Sequence, residues 1–130
     1  MSRNVGREAG NTLGPSARLR KKSDIEICQK EGRKLHAKHF LILVRASGSS
    51  ESRLAVAVTT KLEKRSVVRN LIKRRIREVF RVARKDINTP IDIVVVARRG
   101  IQQCDFSDYQ REILGALRSN GFLNKSDRVD

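Results

Sequence analysis

The sequence predicts a single α+β domain with elements in the order α-β-β-β-α-β-α, a sandwich of one sheet and helices. Residues 65–85 lack Gly and Pro and have the 3.6-residue periodicity of a long amphipathic helix. Short runs rich in branched residues precede this segment, and residues 91–97 after it are almost continuously apolar. With 130 residues, the chain is long enough for one core of this kind.

The two ends of the chain lack a pattern of buried residues. Residues 1–16 are rich in Gly, Asn, Ser and Arg and predict a flexible basic tail, and residues 124–130 predict a second flexible tail. The folded domain is therefore expected at residues 17–123. The N-terminus lacks the apolar core of a secretory signal and the longest apolar run is only of strand length, so the sequence predicts a cytoplasmic protein without a membrane span.

The first half of the folded domain is predicted to form one helix and three strands. Ser23 and Glu26 have the spacing of a capping box, which predicts a helix over residues 24–31 that ends at Gly32. Strands are expected at residues 33–36, 39–44 and 54–60. Because turn-forming residues separate the last two strands, we expect the three to pair as a small antiparallel meander.

The second half is predicted to place a strand between two helices. Residues 91–97 are expected to form an inner strand that is covered on both faces. The last helix is expected to begin near Ser107, whose spacing to Gln110 is that of a second capping box. Asp105 and Asp108 flank this start, where carboxylates interact favourably with the helix dipole, so we interpret them as caps.

The residue types that usually carry catalysis or bind metals form no such pattern in the sequence. Cys28 and Cys104 stand far apart, which predicts two buried free thiols. His36 and His39 are interpreted as surface or strand-end histidines, because no Cys or carboxylate pattern completes a zinc site. There is also no paired carboxylate site, Ser/His/Asp arrangement or Gly-rich phosphate loop. We therefore expect no catalytic side chain, no metal site in the protein and no small-molecule substrate.

The strongest global feature is charge. The chain has 29 Lys and Arg residues against 14 Asp and Glu residues, which gives a net charge of +15 and a pI near 11.1. A compact domain with this charge repels itself, so a polyanionic partner is the simplest explanation. Nucleic acid is the first candidate, and an anionic membrane surface is the second.

The predicted long helix separates these charges from its apolar residues. At 100° per residue, one arc holds Val68, Leu71, Ile72, Ile76, Val79, Phe80 and Ala83. The opposite arc, called here the basic face, holds Arg69, Asn70, Lys73, Arg74, Arg77, Arg81 and Arg84. Arg75 alone falls among the apolar positions, where its stem could snorkel outward. Arginine can grip phosphate oxygens bidentately, so the basic face predicts binding to a nucleic-acid backbone.

This helix carries the pattern Arg-Asn-x-x-Lys-Arg-x-x-Arg. The pattern is formed by Arg69, Asn70, Lys73, Arg74 and Arg77. It is similar to the signature of the protein subunit of bacterial ribonuclease P. Residues 18–24 and 92–100 resemble the opening and the last strand of that family, and the resemblance covers about residues 17–122.

The resemblance implies a specific fold and activity. The fold would be like that of ribosomal protein S5 domain 2, with a central, mostly antiparallel sheet and a left-handed β-α-β crossover, which is uncommon in proteins. The partners would be ribonuclease P RNA and precursor tRNA. The catalyst would be that RNA, with Mg²⁺ bound to it, and the protein subunit would assist endonucleolytic removal of the 5′ leader.

The resemblance also implies two binding surfaces. Arg69, Asn70, Lys73, Arg74 and Arg77 match the signature directly and would bind RNA. The full predicted RNA-binding set adds the neighbouring cations Lys61, Lys64, Arg65 and Arg81. A cleft between the first helix and the sheet would take the single-stranded leader. Its lining would be Phe40, Ile25, Gln29 and Leu43, of which the last three stand where relatives often have aromatic residues. Apolar contact and phosphate contacts would then replace base stacking.

Three other functions fit parts of the sequence. A structural RNA-binding protein of the ribosomal type would share the composition, and only the signature helix and the element order favour a role in cleavage. A DNA-binding protein would usually need a helix-turn-helix partner or a dimer seam, and neither is found in the sequence. Membrane-surface binding would need exposed bulky apolar residues opposite the charges, and those residues are needed for the core.

Overall fold

The computed structural model describes residues 18–19, 22–48 and 50–123. The elements are α1 (Lys22–Glu31), β1 (Arg33–His36), β2 (Phe40–Ala46), β3 (Arg53–Ala57), α2 (Ser66–Ala83), β4 (Ile91–Ala97) and α3 (Phe106–Ser119). Short 3₁₀ helices follow α2 at Arg84–Asp86 and β4 at Ile101–Gln103. The predicted element order is confirmed. The predicted tails, residues 1–16 and 124–130, lie outside the described residues.

The four strands form one mixed sheet with the order β1-β2-β4-β3. β1 pairs with β2 and β2 pairs with β4, both antiparallel, whereas β3 pairs with β4 in parallel. The predicted inner strand is confirmed, because β4 has neighbours on both sides and is buried along almost its whole length. The predicted meander is wrong for β3. Parallel neighbours need a crossover, and α2 supplies it between β3 and β4.

The alternation of side chains along β2 and β4 divides the core into two layers. On one face of the sheet, Ile42 and Ile93 pack against α2 and α3, with Ile72 and Ile76 of α2 fully buried. On the other face, a smaller cluster forms beneath α1 from Leu19, Cys28, Leu43 and Val94. The long basic helix and α1 therefore lie on opposite sides of the sheet.

Both predicted capping boxes are wrong in their residues. α1 begins at Lys22, so Ser23 lies inside its first turn. At α3 the cap is Asp105, whose side chain accepts a hydrogen bond from the backbone N–H of Asp108 at 3.0 Å. The Asp108 carboxylate accepts one in return from the Asp105 N–H at 3.0 Å. The interpretation of these two acids as caps is thus confirmed, and Ser107 only donates to the Asp105 carboxylate.

Candidate nucleic-acid interface

α2 has one buried face and one charged face. Its buried residues are Ile72, Ile76, Val79, Phe80 and Ala83, with Val68 packed at the edge of the same core. This burial fixes the orientation of the helix, so the opposite face is held toward solvent. Asn70 and Arg74 are exposed there, while Lys73, Arg77 and Arg81 are half-buried. The predicted division of the helix into two faces is confirmed.

Several cations in the N-terminal half of α2 and in the loop before it are open to solvent. Lys61, Lys64 and Arg65 of that loop are exposed, and of these Arg65 is paired with Glu63. Within the part of the chain that the structure describes, Lys73 and Arg74 make no side-chain hydrogen bond or ion pair. Their charges are therefore available to an external anion.

Arg69 binds backbone carbonyls within the protein, although its place on the basic face predicts contact with RNA. One of its terminal nitrogens, Nη1, donates to the backbone carbonyls of Glu63 at 3.0 Å and Lys64 at 2.8 Å. Arg69 thus ties the first turns of α2 to the loop that precedes it. Its guanidinium fixes the backbone beneath the exposed Lys64 and Arg65.

Arg77 is a half-buried cation without a protein partner among the described residues. Burial lowers its pKa, and the nearby positive charge of Arg18 lowers it further. Arg18 is held at the outer edge of the sheet by a bridge to Leu54, and its Nε is buried without a hydrogen-bond partner in the described structure. An oxyanion bound to Arg77 would offset both effects, because a nearby negative charge favours the charged guanidinium.

The C-terminal end of α2 is different, because its arginines are paired. Arg81 forms a two-pronged ion pair with Glu78, at 3.1 Å from Nε and 2.6 Å from Nη2. This pair lowers the pKa of Glu78. Arg84 bonds to Glu51 at 2.7 Å. The predicted RNA-binding residue Arg81 thus already has an anion within the protein.

Arg75 does not snorkel outward as expected. Its Nη1 donates to the carbonyl of Cys104 at 3.3 Å, and its guanidinium carbon lies 5.5 Å from the ring centre of Tyr109. The guanidinium therefore packs over an aromatic ring of α3, which is a favourable cation–π arrangement. Arg75 joins α2 to α3 and does not contribute to the basic face.

A broad depression adjoins the N-terminal end of α2 and was missed from the sequence as part of the interface. It has a volume of about 660 Å³ and is lined by Thr59, Lys61, Leu62, Ala97, Arg98, Arg99, Gly100 and Gln102. Arg98 and Arg99 are exposed at the end of β4. The sequence showed them only as the close of a strand. Their contribution depends on the sheet order, which places the end of β4 beside the loop before α2.

The structure corrects the prediction for Phe40. Its side chain is fully buried, and its ring centre lies 5.4 Å from that of Tyr109, in the core layer beneath α3. Leu43 lies three residues further along β2 and faces the opposite side of the sheet. Phe40 therefore stabilises the main core and cannot line a cleft next to α1.

Of the remaining predicted cleft residues, the structure brings Ile25 and Leu43 together. Ile25 packs with Leu43 in the cluster beneath α1, and Gln29 is exposed on the same helix. Sequence reasoning missed three half-buried apolar residues at the edge of that cluster: Leu41, Ala55 and Val96. The two-residue period of the strands relates Leu41 to Leu43 and Val96 to Val94, and this signal could have identified them.

The cysteines are free and buried, as predicted. Burial raises the pKa of Cys28 to about 11. His36 is exposed, as expected, whereas His39 is half-buried. The Glu112 carboxylate accepts from the backbone N–H of His39 at 2.7 Å and lies 2.6 Å from its Nδ1. Cys104 is nearby, but both oxygens of Glu112 are already occupied by His39, so this group serves as a structural link.

None of the described helices has the length and apolar character required to cross a bilayer.

Comparison with known proteins connects this architecture to one family. The family model described as Ribonuclease P matches residues 13–120. The ribonuclease P protein component of Desulfovibrio desulfuricans is 36% identical over 105 residues, covering 78% of this chain and 80% of that protein. The corresponding protein of Syntrophobacter fumaroxidans is 36% identical over 116 residues, covering 88% and 92%.

Solved structures agree with the sequence comparisons. The RNase P protein of Staphylococcus aureus superimposes with a TM-score of 0.75 at 28% identity, covering 83% of this chain and 98% of that one. The RNase P protein of Thermotoga maritima gives a TM-score of 0.71 at 33% identity, covering 78% and 96%. Similarity thus extends through the sheet and all three helices.

Proposed function

The chain belongs to the ribonuclease P protein family, and on that premise we propose that its basic face binds the catalytic RNA of ribonuclease P. The observation that carries this proposal is a set of cations in the N-terminal half of α2 and the loop before it, Lys64, Lys73 and Arg74, for which the described residues supply no anion. The apolar side of the helix is locked into the core, so these charges have a fixed arrangement. A folded protein that holds unpaired cations in place is prepared to bind phosphates.

The half-buried pair of Arg18 and Arg77 supports the same proposal. In the free protein their charges repel one another and no described residue neutralises them. An RNA phosphate would offset this repulsion and accept hydrogen bonds from the guanidinium groups. We propose this as one anchoring point along α2, with Lys73 and Arg74 as others.

We further propose that the 5′ leader of precursor tRNA lies against the α1 side of the sheet. The half-buried Leu41, Ala55 and Val96 offer apolar contact there, with Ile25 at the edge. The described residues place no aromatic ring in this cluster, so contact with the leader would be apolar and electrostatic, without the stacking that aromatic platforms provide. Lys61 and Arg98 would meet leader phosphates near the end of the sheet.

In this assignment the protein holds and orients RNA, and chemistry belongs to the RNA partner. Mg²⁺ would be bound by that RNA. The cations of the basic face would reduce repulsion between the phosphates of the catalytic RNA and those of the substrate, and this lowers the Mg²⁺ concentration needed for assembly. The product would be the mature 5′ end of tRNA.

Reconstitution with a bacterial ribonuclease P RNA tests the proposal. At low Mg²⁺, where the RNA alone is slow, the added protein is expected to restore cleavage of a precursor tRNA. The double variant Arg69→Ala with Arg74→Ala should need a higher protein concentration for the same stimulation. RNA binding without stimulation at any Mg²⁺ concentration would leave a structural RNA-binding protein and remove the role in cleavage.

A further inference from the structure

Glu63 is an unexpected residue in the loop before α2. Lys61, Lys64 and Arg65 lie beside it, and all three are exposed cations. Glu63 itself is only 7% exposed. A negative charge at this place weakens the attraction of the loop for phosphates. We therefore expect a structural benefit from Glu63 that offsets this loss.

The contacts of the Glu63 carboxylate identify that benefit. Oε2 accepts from both the backbone N–H and the Nε of Arg65, each at 2.8 Å. Oε1 accepts from Arg65 Nη2 at 3.1 Å and from Gln102 Nε2 at 3.2 Å. One carboxylate therefore holds the backbone and the side chain of Arg65 and also reaches the 3₁₀ helix after β4. Hydrogen bonds from Arg65 hold the pKa of Glu63 at about 2, so the group is charged at neutral pH.

The same loop is fixed by two further residues. Gln102 Nε2 donates to the carbonyl of Leu62 at 3.0 Å, which joins the loop to the turn that carries Arg98 and Arg99. Arg69 donates to the carbonyls of Glu63 and Lys64 from the other side. Glu63 lies at the centre of this network, because both Gln102 and Arg65 bind its carboxylate.

The network leaves Arg65 able to bind a phosphate. Its side chain is 72% exposed, and Nη1 is not engaged by Glu63. A free arginine loses rotamer freedom when it binds an anion, and a guanidinium already held on one edge loses less. Glu63 thus fixes the direction in which a neighbouring cation points.

We propose that Glu63 is a positioning residue for RNA binding, which holds Arg65 and the loop before α2 in the arrangement that RNA phosphates meet. This inference rests on the proposed function, since it requires that loop to face RNA. Glu63 itself contacts no phosphate. Its contribution is the order it imposes on Arg65 and, through Gln102, on the depression beside Arg98.

An account based on charge alone and an account based on positioning predict opposite changes in RNA affinity when Glu63 is removed. Removing Glu63 raises the net charge of the protein by one and frees Arg65, so simple electrostatics predicts tighter RNA binding. Positioning predicts weaker binding despite the added positive charge. The direction of the change therefore separates the two accounts.

The experiment measures the dissociation constant of the full-length chain for a bacterial ribonuclease P RNA at several salt concentrations. Glu63→Ala is expected to weaken binding by about threefold to tenfold, and Glu63→Gln less, because an amide oxygen still accepts from the Arg65 N–H. Gln102→Ala should also weaken binding. Glu31→Gln is the control, since it removes the same negative charge from an exposed position on α1. The RNA affinity of this variant should be unchanged or slightly higher than that of the wild type.

Two additional readouts separate positioning from a folding defect and from failure of the proposed function. RNA is titrated into a fixed amount of protein. In that format a misfolded fraction lowers the amount of RNA bound at saturation without changing the dissociation constant. Loss of positioning changes the dissociation constant, and the amount bound at saturation stays the same. In an Arg65→Ala background, the effect of Glu63→Ala should shrink, because the group it positions is absent. Equal or tighter binding by Glu63→Ala overturns the inference. If the wild-type chain binds the RNA but does not stimulate cleavage, the proposed role in cleavage is overturned instead.

Discussion

The two ends of α2 carry similar cations but differ in what those cations bind. At the C-terminal end, Arg81 and Arg84 are paired with carboxylates within the protein. In the N-terminal half, by contrast, Lys73 and Arg74 are unpaired among the described residues. The single acid of the N-terminal end, Glu63, organises its neighbour Arg65 and leaves part of it exposed. A count of positive charges therefore overstates the capacity of one end of the helix to bind RNA.

The comparison also explains why two acids in one basic segment have different consequences. Glu78 pairs with Arg81 along a regular helix, at an i,i+3 spacing that occurs on many solvated surfaces. Glu63 is nearly buried and joins three parts of the chain: the loop, α2 and the turn after β4. The first pair offsets charge, whereas the second fixes geometry.

The largest effect on RNA binding is expected from Arg69→Ala. This change removes two hydrogen bonds from a charged donor to the loop carbonyls, and such bonds contribute about 1.5–3 kcal/mol each. RNA binding should weaken by about tenfold to a hundredfold, because the loop loses its fixed position. Arg74→Ala is the matched control, since it removes the same charge without a hydrogen bond in the described structure. If the two variants lose equal affinity, Arg69 acts only through its charge.

Arg77→Met is expected to have a smaller effect on RNA binding. It should weaken RNA binding and, at the same time, stabilise the folded protein. Methionine keeps an unbranched stem and removes a cation whose pKa burial and Arg18 already lower. The folded protein should gain up to about 1 kcal/mol at low salt, while RNA binding weakens by about threefold to tenfold. Thermal unfolding and filter binding measure the two quantities. Arg74→Met should not stabilise the protein, and a stability loss in Arg77→Met would contradict the proposed crowding.

Arg81→Gln should change RNA affinity by less than about twofold, because Glu78 already neutralises much of its charge. The comparison with Lys73→Gln is direct, since both positions lie on the basic face of the same helix. Loss of affinity greater for Arg81→Gln than for Lys73→Gln would show that the pair with Glu78 opens when RNA binds.

The smallest effect concerns pH. Folding lowers the pKa of Glu63 from an ordinary value of 4.5 to about 2, so its carboxylate stabilises the folded state above pH 4.5. This contribution declines as the pH falls below 4.5 and is lost below about 2. The melting temperature of the wild type should exceed that of Glu63→Gln by a degree or two at pH 6, and the difference should narrow toward pH 3. A constant difference would contradict the ionic link.

The fold and the faces of α2 could be predicted because they depend on local periodicity. Apolar residues three and four apart determine which side of the helix is buried, and Ile72 and Ile76 lie where that period places them. The pairing of β3 could not be predicted in this way, since alternation along a strand does not identify its neighbour. For Phe40, the sequence showed a strand but not which of its two faces would lie beneath α1.

The side-chain partners of the interface required the tertiary structure. The spacing of Glu63 and Arg65 suggests nothing specific, and the second contact of the Glu63 carboxylate is with Gln102, which is 39 residues further along the chain. The helical period marks Arg75 as an exception among the apolar positions, but its partners Cys104 and Tyr109 belong to segments that only the fold brings close. Arg98 and Arg99 join the interface for the same reason.

The salt dependence of RNA binding tests the central contrast most directly. If six cations each neutralise a phosphate, the slope of log K against log salt is about −5 on duplex RNA and smaller on single strands. Two variants each remove two cations: Lys73 and Arg74 changed to Gln, or the paired Arg81 and Arg84 changed to Gln. The first should reduce the magnitude of the slope by about 2, and the second by less than about 1. Equal reductions, or a larger one for the C-terminal set, would contradict the assignment of RNA binding to the N-terminal half of α2.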